Sequence, residues 1–137
     1  MRQATVIIRA MAGNDEALVR SAYEAWNTEG PRVLESFGAD SVELVDPPEM
    51  PDSRSYHGHA AVLARLEEVA EAVGGRYAHI DEITPVGDEV LVALTWRVDA
   101  TLESAILGEV FHVVRVEGGK ITRMRVFLTR DDALAAV

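Results

Sequence analysis

Hydrophobic positions recur every three to four residues in three segments of the first half of the chain. Leu18 and Trp26 belong to one such stripe, which predicts an amphipathic helix over 14–27. The same spacing predicts a short second helix over 31–37 and a third helix over 59–73. The first half of the chain is therefore expected to be mainly helical.

From residue 76 the hydrophobic period changes to two, which is typical of strands. Pro85 predicts the end of the first of these strands, and Gly118-Gly119 predicts a tight hairpin. Thr129 followed by acidic residues resembles a capping box, which predicts a short terminal helix over 131–136. The predicted strands cover 41–46, 76–83, 90–98, 106–116 and 121–128. Helices and antiparallel strands in separate parts of the chain indicate the α+β class.

Composition narrows the range of functions. The length of 137 residues suits one domain, and the absence of cysteine excludes disulfides, thiolate zinc sites and thiol catalysis. A formal net charge of -10 argues against nucleic acid as a partner. The chain has no apolar run long enough for a membrane span, and Arg9 interrupts the apolar N-terminal stretch, which argues against a secretion signal. We expect a cytoplasmic protein whose residues 1–12 form a strand or a loose leader.

Four short segments resemble the NTF2-like superfamily, and in particular its SnoaL-like branch. They are the first helix with Trp26, the strand end at 45–47, the helix entry at 56–62 and the closing strand at 119–127. The resemblance covers the chain from about residue 14 and implies a cone, in which a bent antiparallel sheet wraps around helices and encloses a pocket. That superfamily includes isomerases, cyclases, hydrolases, dehydratases and non-catalytic binders, so the fold does not give the reaction.

Arg97 and Asp99 are similar to the Arg-x-Asp pair of limonene-1,2-epoxide hydrolases. In that family a second Asp joins the pair to activate a water, which a Tyr and an Asn hold. Here the second Asp position falls on Val126, and the Tyr and Asn positions fall on Glu43 and Val45. The hydrolase mechanism therefore cannot be transferred intact.

Strand alternation predicts which side chains face the pocket. If Arg97 and Asp99 face inward, Trp96 faces outward and suits a sheet-to-sheet homodimer contact. On the next strand Gly108 and His112 are expected on the inner face. The residues predicted to bind substrate are Tyr23, Trp26, Val45, Val110, Met124, Val126 and Leu128.

These residues support an acid/base hypothesis that needs no cofactor or metal. Asp99, held by Arg97, is a candidate general base. His112 could exchange a proton near neutral pH, and Glu43 would complete the set if it faced inward. We therefore expect an isomerase, cyclase or epoxide hydrolase type of enzyme acting on a small, mostly apolar organic molecule.

A non-catalytic module for ligand binding or dimerisation is the alternative. Arg97 and Asp99 could form a plain ion pair at a sheet edge, and His112 could be a hydrogen-bonded sheet residue. Glu43 belongs to a series of spaced acids, which favours a solvated side chain. His57-x-His59 is better interpreted as helix entry than as a metal site, because it lacks an established ligand spacing.

Overall fold

The structure is a computed structural model that describes residues 2–75, 77–98 and 108–137, with side chains from residue 14 onward. Its helices are α1 (Arg2–Glu29), α2 (Val33–Phe37), α3 (Gly58–Val73) and α4 (Arg130–Ala135), with a 3-10 turn at Gly30–Arg32. Its strands are β1 (Gly38–Val45), β2 (Ser55–His57), β3 (Tyr77–Val86), β4 (Glu89–Arg97), β5 (Val110–Glu117) and β6 (Lys120–Phe127). The α+β prediction is confirmed.

The six strands form one curled sheet in the order β2-β1-β6-β5-β4-β3. The pair β1 and β6 is parallel, and the other neighbours are antiparallel. Gly118 and Gly119, with φ angles of 59° and 76°, connect β5 to β6. Glycine reaches these left-handed angles without steric cost, so the predicted hairpin is confirmed.

Two predicted boundaries are wrong, and one strand was not predicted. The first helix begins at Arg2, so residues 2–12 are neither a strand nor a loose leader; Gly13 within it costs only about 1 kcal/mol. Strand β2 was not predicted, because three residues between a proline-rich loop and a helix give no period. Pro85 lies inside β3, where its missing N–H is tolerated because β3 is an edge strand.

The inner face of the sheet, defined as the face covered by α1 and α3, holds the main core. Val19 of α1 and Leu94 of β4 are completely buried there. Asn27 ties the end of α1 to the sheet edge: it accepts the N–H of Ala78 at 2.7 Å and donates to the carbonyl of Ala78 at 3.0 Å. The side-chain amide thus satisfies main-chain groups of β3 that no neighbouring strand reaches.

Helix α4 packs on the outer face, which is the opposite side of the sheet. Ala133 is completely buried against Leu91, Phe111 and Phe127 in a second apolar cluster. The backbone N–H of Asp132 donates to Thr129 Oγ1 at 3.2 Å, which confirms the cap predicted for this helix.

Beside α4, three arginines of β5 and β6 surround one buried carboxylate on the outer face. Glu89 is 5% exposed, and its Oε1 lies 3.6, 3.2 and 3.0 Å from Arg115, Arg123 and Arg125, respectively. The neighbouring Asp88 is 87% exposed and lies 3.9 Å from Arg115. Glu89 therefore compensates positive charge that would otherwise be crowded on adjacent strands.

We expect Glu89→Gln to destabilise the fold by about 3 kcal/mol, because it leaves three half-buried guanidinium groups without their shared carboxylate. Chemical denaturation monitored by circular dichroism measures this change. Asp88→Asn removes the same charge from the adjacent exposed position and should cost less than about 0.5 kcal/mol. Equal effects of the two substitutions would contradict the role assigned to Glu89.

Candidate functional site

A cavity of about 280 Å³ lies between the inner face of the sheet and helices α1, α2 and α3. Its wall is mostly apolar, and the loop between β1 and β2, residues 46–54, borders it through Pro47 and Met50. We call this segment the mouth loop. An apolar cavity of this size with few polar groups is the usual form of a site for a small organic molecule.

Both tryptophans of the chain line this cavity. Trp26 of α1 and Trp96 of β4 contact each other with ring centroids 6.1 Å apart and ring planes at 58°. Trp96 is only 8% exposed. The prediction that Trp96 faces outward is therefore wrong, and Trp96 gives no support to a dimer contact.

A hydrogen-bonded pair, Tyr23 and His112, forms a polar point in the cavity wall. The hydroxyl of Tyr23 on α1 is hydrogen-bonded to Nδ1 of His112 on β5, and the two residues are 7% and 8% exposed. Burial lowers the pKa of His112 from 6.5 to about 4 and raises the pKa of Tyr23 above its ordinary value. Both side chains are therefore neutral near pH 7.

A neutral pair of this kind always leaves one donor unused. If His112 carries its proton on Nδ1, that N–H donates to the tyrosine oxygen and leaves the Tyr23 O–H available. If the proton is on Nε2, the Tyr23 O–H donates to Nδ1 and leaves the Nε2–H available. Either tautomer can present one hydrogen-bond donor to an oxygen atom of a ligand.

Asp46 supplies a buried carboxylate to the same cavity. It is 4% exposed, and its Oδ1 accepts from Arg65 Nε at 3.0 Å. Its Oδ2 accepts from the Tyr56 hydroxyl and from the backbone N–H of Arg54, both at 3.3 Å. Burial opposes the charge of Arg65, but the hydrogen bond to Asp46 and the charge of that carboxylate raise the pKa of Arg65 overall.

Arg97, the described member of the predicted Arg97–Asp99 centre, does not line the cavity. Arg97 follows Trp96 on β4 and so occupies the outer face, where it donates to Thr95 at 3.0 Å and to Asp81 at 3.3 Å. The prediction that it faces inward is wrong, because β4 is buried on both faces and its pattern gave no orientation. Asp99 lies outside the described residues.

Glu43 belongs to the cavity rim, but its carboxylate is directed elsewhere. The register pairs Glu43 with Arg123, which is on the outer face, and the carboxylate lies 3.4 Å from the exposed His57. Val45 shares that outer orientation through its pairing with Arg125. The prediction that Val45 binds substrate is therefore wrong, and Glu43 does not meet the condition for completing the acid/base set, since the inner positions of this strand are the even-numbered ones.

Seven predicted residues line the cavity, two from α1 and five that strand alternation placed on its inner side. The predicted residues that line the cavity are Tyr23, Trp26, Val110, His112, Met124, Val126 and Leu128. Their contact with a ligand stays a prediction.

Two charged residues of the cavity wall, Asp46 and Arg65, were not predicted, although each has a signal in the sequence. Asp46 comes directly after the apolar end of β1. Only its even-numbered position, which continues the inward-facing side of the strand, distinguishes it from the neighbouring acids. Arg65 lies within the stripe of α3 that also carries Val62 and Val69. A charged residue inside an apolar helix stripe needs a buried partner, but the stripe does not identify which residue that is.

Within residues 14–75, 77–98 and 108–137, no group of three or more acidic, histidine or cysteine side chains could hold a metal ion. The described helices include none that is long and apolar enough to cross a membrane.

The model of the SnoaL-like domain family matches residues 19–124. The chain belongs to the SnoaL-like domain family. The match begins within α1, ends within β6 and includes all the cavity residues except Val126 and Leu128. No curated protein matches the sequence.

Solved structures share this SnoaL-like fold. TerC, co-crystallised with polyporic acid, is 22% identical with a TM-score of 0.68, over 88% of this chain and 95% of TerC. A candidate polyketide cyclase from Sinorhizobium meliloti is 19% identical with a TM-score of 0.61, over 80% and 93% of the two chains. A ketosteroid isomerase-like protein from Catenulispora acidiphila, in complex with trimethylamine, is 16% identical with a TM-score of 0.63, over 86% and 89%. The predicted NTF2-like cone is confirmed.

Burial of His112 predicts a pH-dependent stability for this SnoaL-like domain. Because its pKa falls from 6.5 to about 4 on folding, the unfolded chain binds the proton more readily. The resulting stability is complete above pH 6.5 and is lost as the pH falls toward 4, by about 3 kcal/mol in total. Urea unfolding across this range measures it.

His112→Phe should remove this contribution to the pH dependence, whereas His57→Gln at an exposed position should retain it. Identical pH profiles of unfolding for the wild type and the His112 variant would contradict the burial of a neutral imidazole.

Proposed function

We propose that this SnoaL-like domain is a cofactor-independent acid/base enzyme that moves a proton at the carbon next to a carbonyl group in a small, mostly apolar molecule. The observation that carries the proposal is the neutral Tyr23–His112 pair, which offers one donor to an apolar cavity that also contains the Asp46 carboxylate. A donor and a proton acceptor in one water-poor cavity are the two groups that this chemistry requires.

In the proposed step, a carboxylate oxygen of Asp46 takes the proton from the substrate carbon. The electron pair of that C–H bond forms a carbon–carbon double bond, and the carbonyl π electrons move onto oxygen. The available donor of the Tyr23–His112 pair then stabilises the oxyanion. Return of the proton to another carbon completes an isomerisation. In a cyclisation the enolate carbon attacks a second carbonyl, and the proton held by Asp46 passes to the alkoxide that forms.

The structural neighbours favour this class of reaction over epoxide hydrolysis. One is a candidate polyketide cyclase, another has a ketosteroid isomerase-like fold, and TerC was crystallised with polyporic acid. The epoxide hydrolase hypothesis depended on Arg97 in the cavity, and Arg97 instead contacts Asp81 on the outer face. A non-catalytic ligand-binding module remains the alternative, which the experiments below distinguish.

The location of both tryptophans predicts a binding signal. A planar aromatic alcohol such as β-naphthol should change the intrinsic fluorescence of Trp26 and Trp96, because both line the cavity. His112→Phe should weaken its binding about tenfold, through loss of one buried hydrogen bond. His57→Gln serves as the matched control and should bind like the wild type. Unchanged affinity in the His112 variant would contradict the role of the pair.

The reaction is tested by hydrogen–deuterium exchange at the carbons next to the carbonyl in a panel of cyclic and aryl ketones, followed by NMR. We expect wild-type protein to accelerate exchange for at least one ketone, and Asp46→Asn to lower that rate at least about 100-fold. Tyr23→Phe should lower it about 10- to 100-fold through weaker oxyanion stabilisation. If ketones bind but exchange no faster than with Asp46→Asn, the domain is a binding module and the proposal is wrong.

We also retain the proposal of a homodimer formed through the outer sheet face in the cytoplasm. Exposed apolar side chains of the C-terminal segment support it, namely Leu134 and Val137, which are 43% and 51% exposed. Sedimentation velocity distinguishes a monomer from a dimer of this 14.9 kDa chain.

A further inference from the structure

Asp46 joins the start of the mouth loop to its end at Ser53 and Arg54, and we call this junction the neck. The backbone N–H of Asp46 donates to the carbonyl of Arg54 at 2.9 Å, and its carbonyl accepts from the Ser53 hydroxyl at 3.3 Å. Its carboxylate adds the contact with the N–H of Arg54. The start and the end of the loop are therefore joined through one residue that also lines the cavity.

Arg65 connects this neck to helix α3. Its Nε donates to Asp46 Oδ1 at 3.0 Å and its NH1 to Glu68 Oε2 at 3.1 Å, while its guanidinium carbon lies 5.7 Å from the centre of the Tyr56 ring. The side chains of Arg65 and Asp46 are 19% and 5% exposed. A guanidinium held on three sides fixes the orientation of the carboxylate that it contacts.

We propose that Arg65 is the positioning residue that fixes the Asp46 carboxylate toward the cavity and holds the mouth loop over its opening. One ion pair then sets both the place of the proton acceptor and the width of the entrance. The first half of this inference rests on the proposed function, whereas the second half does not. Arg65 reaches the substrate through Asp46 and is therefore not itself a catalytic residue.

The mouth loop also contributes apolar side chains to the cavity wall. Pro47 and Met50 line the cavity, and Met50 is 38% exposed at its edge. A loop released from Asp46 and Arg65 would withdraw these apolar contacts from a ligand. Loss of Arg65 should therefore weaken binding of β-naphthol as well as catalysis.

The test compares Arg65→Gln with Arg54→Gln. Arg54 belongs to the same neck, carries the same charge and contributes main-chain groups to the network, so its substitution is the matched control. In Arg65→Gln, the amide protons of Asp46 and Arg54 should exchange with solvent at least about tenfold faster. The rate of hydrogen–deuterium exchange at the ketone substrate should fall about 10- to 100-fold, because the Asp46 carboxylate is misplaced.

Rescue by a conservative variant separates positioning from general loss of stability. Arg65→Lys keeps a cation beside Asp46 and should recover part of the ketone-exchange rate that Arg65→Gln loses. Tyr56→Phe removes a second hydrogen-bond partner of Asp46 without a charge change and should also reduce the rate.

Three outcomes overturn the inference in different ways. If Arg65→Gln matches Arg54→Gln in amide protection, naphthol affinity and ketone-exchange rate, Arg65 positions nothing. If the Asp46 and Arg54 amides exchange faster in Arg65→Gln but the wild type catalyses no ketone exchange, the role of Arg65 in catalysis is wrong together with the proposed function. Its role in holding the mouth loop then stands. If the wild type is active and Arg65→Gln lowers only the melting temperature, the proposed function stands and the positioning role is wrong.

Discussion

Alternation of side chains along β4, β5 and β6 divides this molecule into two chemically different faces. Trp96 and His112 belong to the inner face with the apolar cavity, whereas Arg97 and Arg115 belong to the outer face with its ion pairs. A slip of one residue in any central strand would exchange these two sets, placing guanidinium groups in the cavity. The position of the helices, the cavity and the Glu89 cluster all depend on this constraint.

The few polar groups of the inner face have hydrogen-bond partners that offset the free-energy cost of burying them. Tyr23 and His112 are neutral and share a hydrogen bond, and Asp46 receives three donors. Buried groups of this kind are costly when unpaired, so each partner is under a structural constraint as well as a functional one. The same contacts leave one donor and one carboxylate for a ligand, which is why structural and chemical roles coincide in this cavity.

The sequence predicted the elements better than the site. Residues of β5 and β6 were oriented correctly because arginines interrupt their outer faces and the Gly118-Gly119 hairpin fixes their register. Strand β4 is buried on both sides, so neither its hydrophobicity nor its period could show whether Trp96 or Arg97 faces inward. Its register with β5, which pairs Val92 with His112, settles the orientation in the structure.

Asp46 and Arg65 could not be paired from the sequence because they are 19 residues apart and on different elements. Each has only a local signal in the sequence. Asp46 continues the inward-facing positions of β1, and Arg65 is a cation within the apolar stripe of α3. The contact depends on how α3 crosses β1, and that crossing is a property of tertiary packing. The candidate base of the site therefore became visible only in three dimensions.

A crystal structure of the protein with β-naphthol bound shows whether the cavity and its Tyr23–His112 pair form a ligand site. We expect the naphthol ring to lie in the cavity against the Trp26 and Trp96 side chains, with its oxygen within hydrogen-bond distance of Tyr23 Oη or His112 Nε2. A naphthol bound on the outer face, or one whose oxygen points away from this pair, would contradict it.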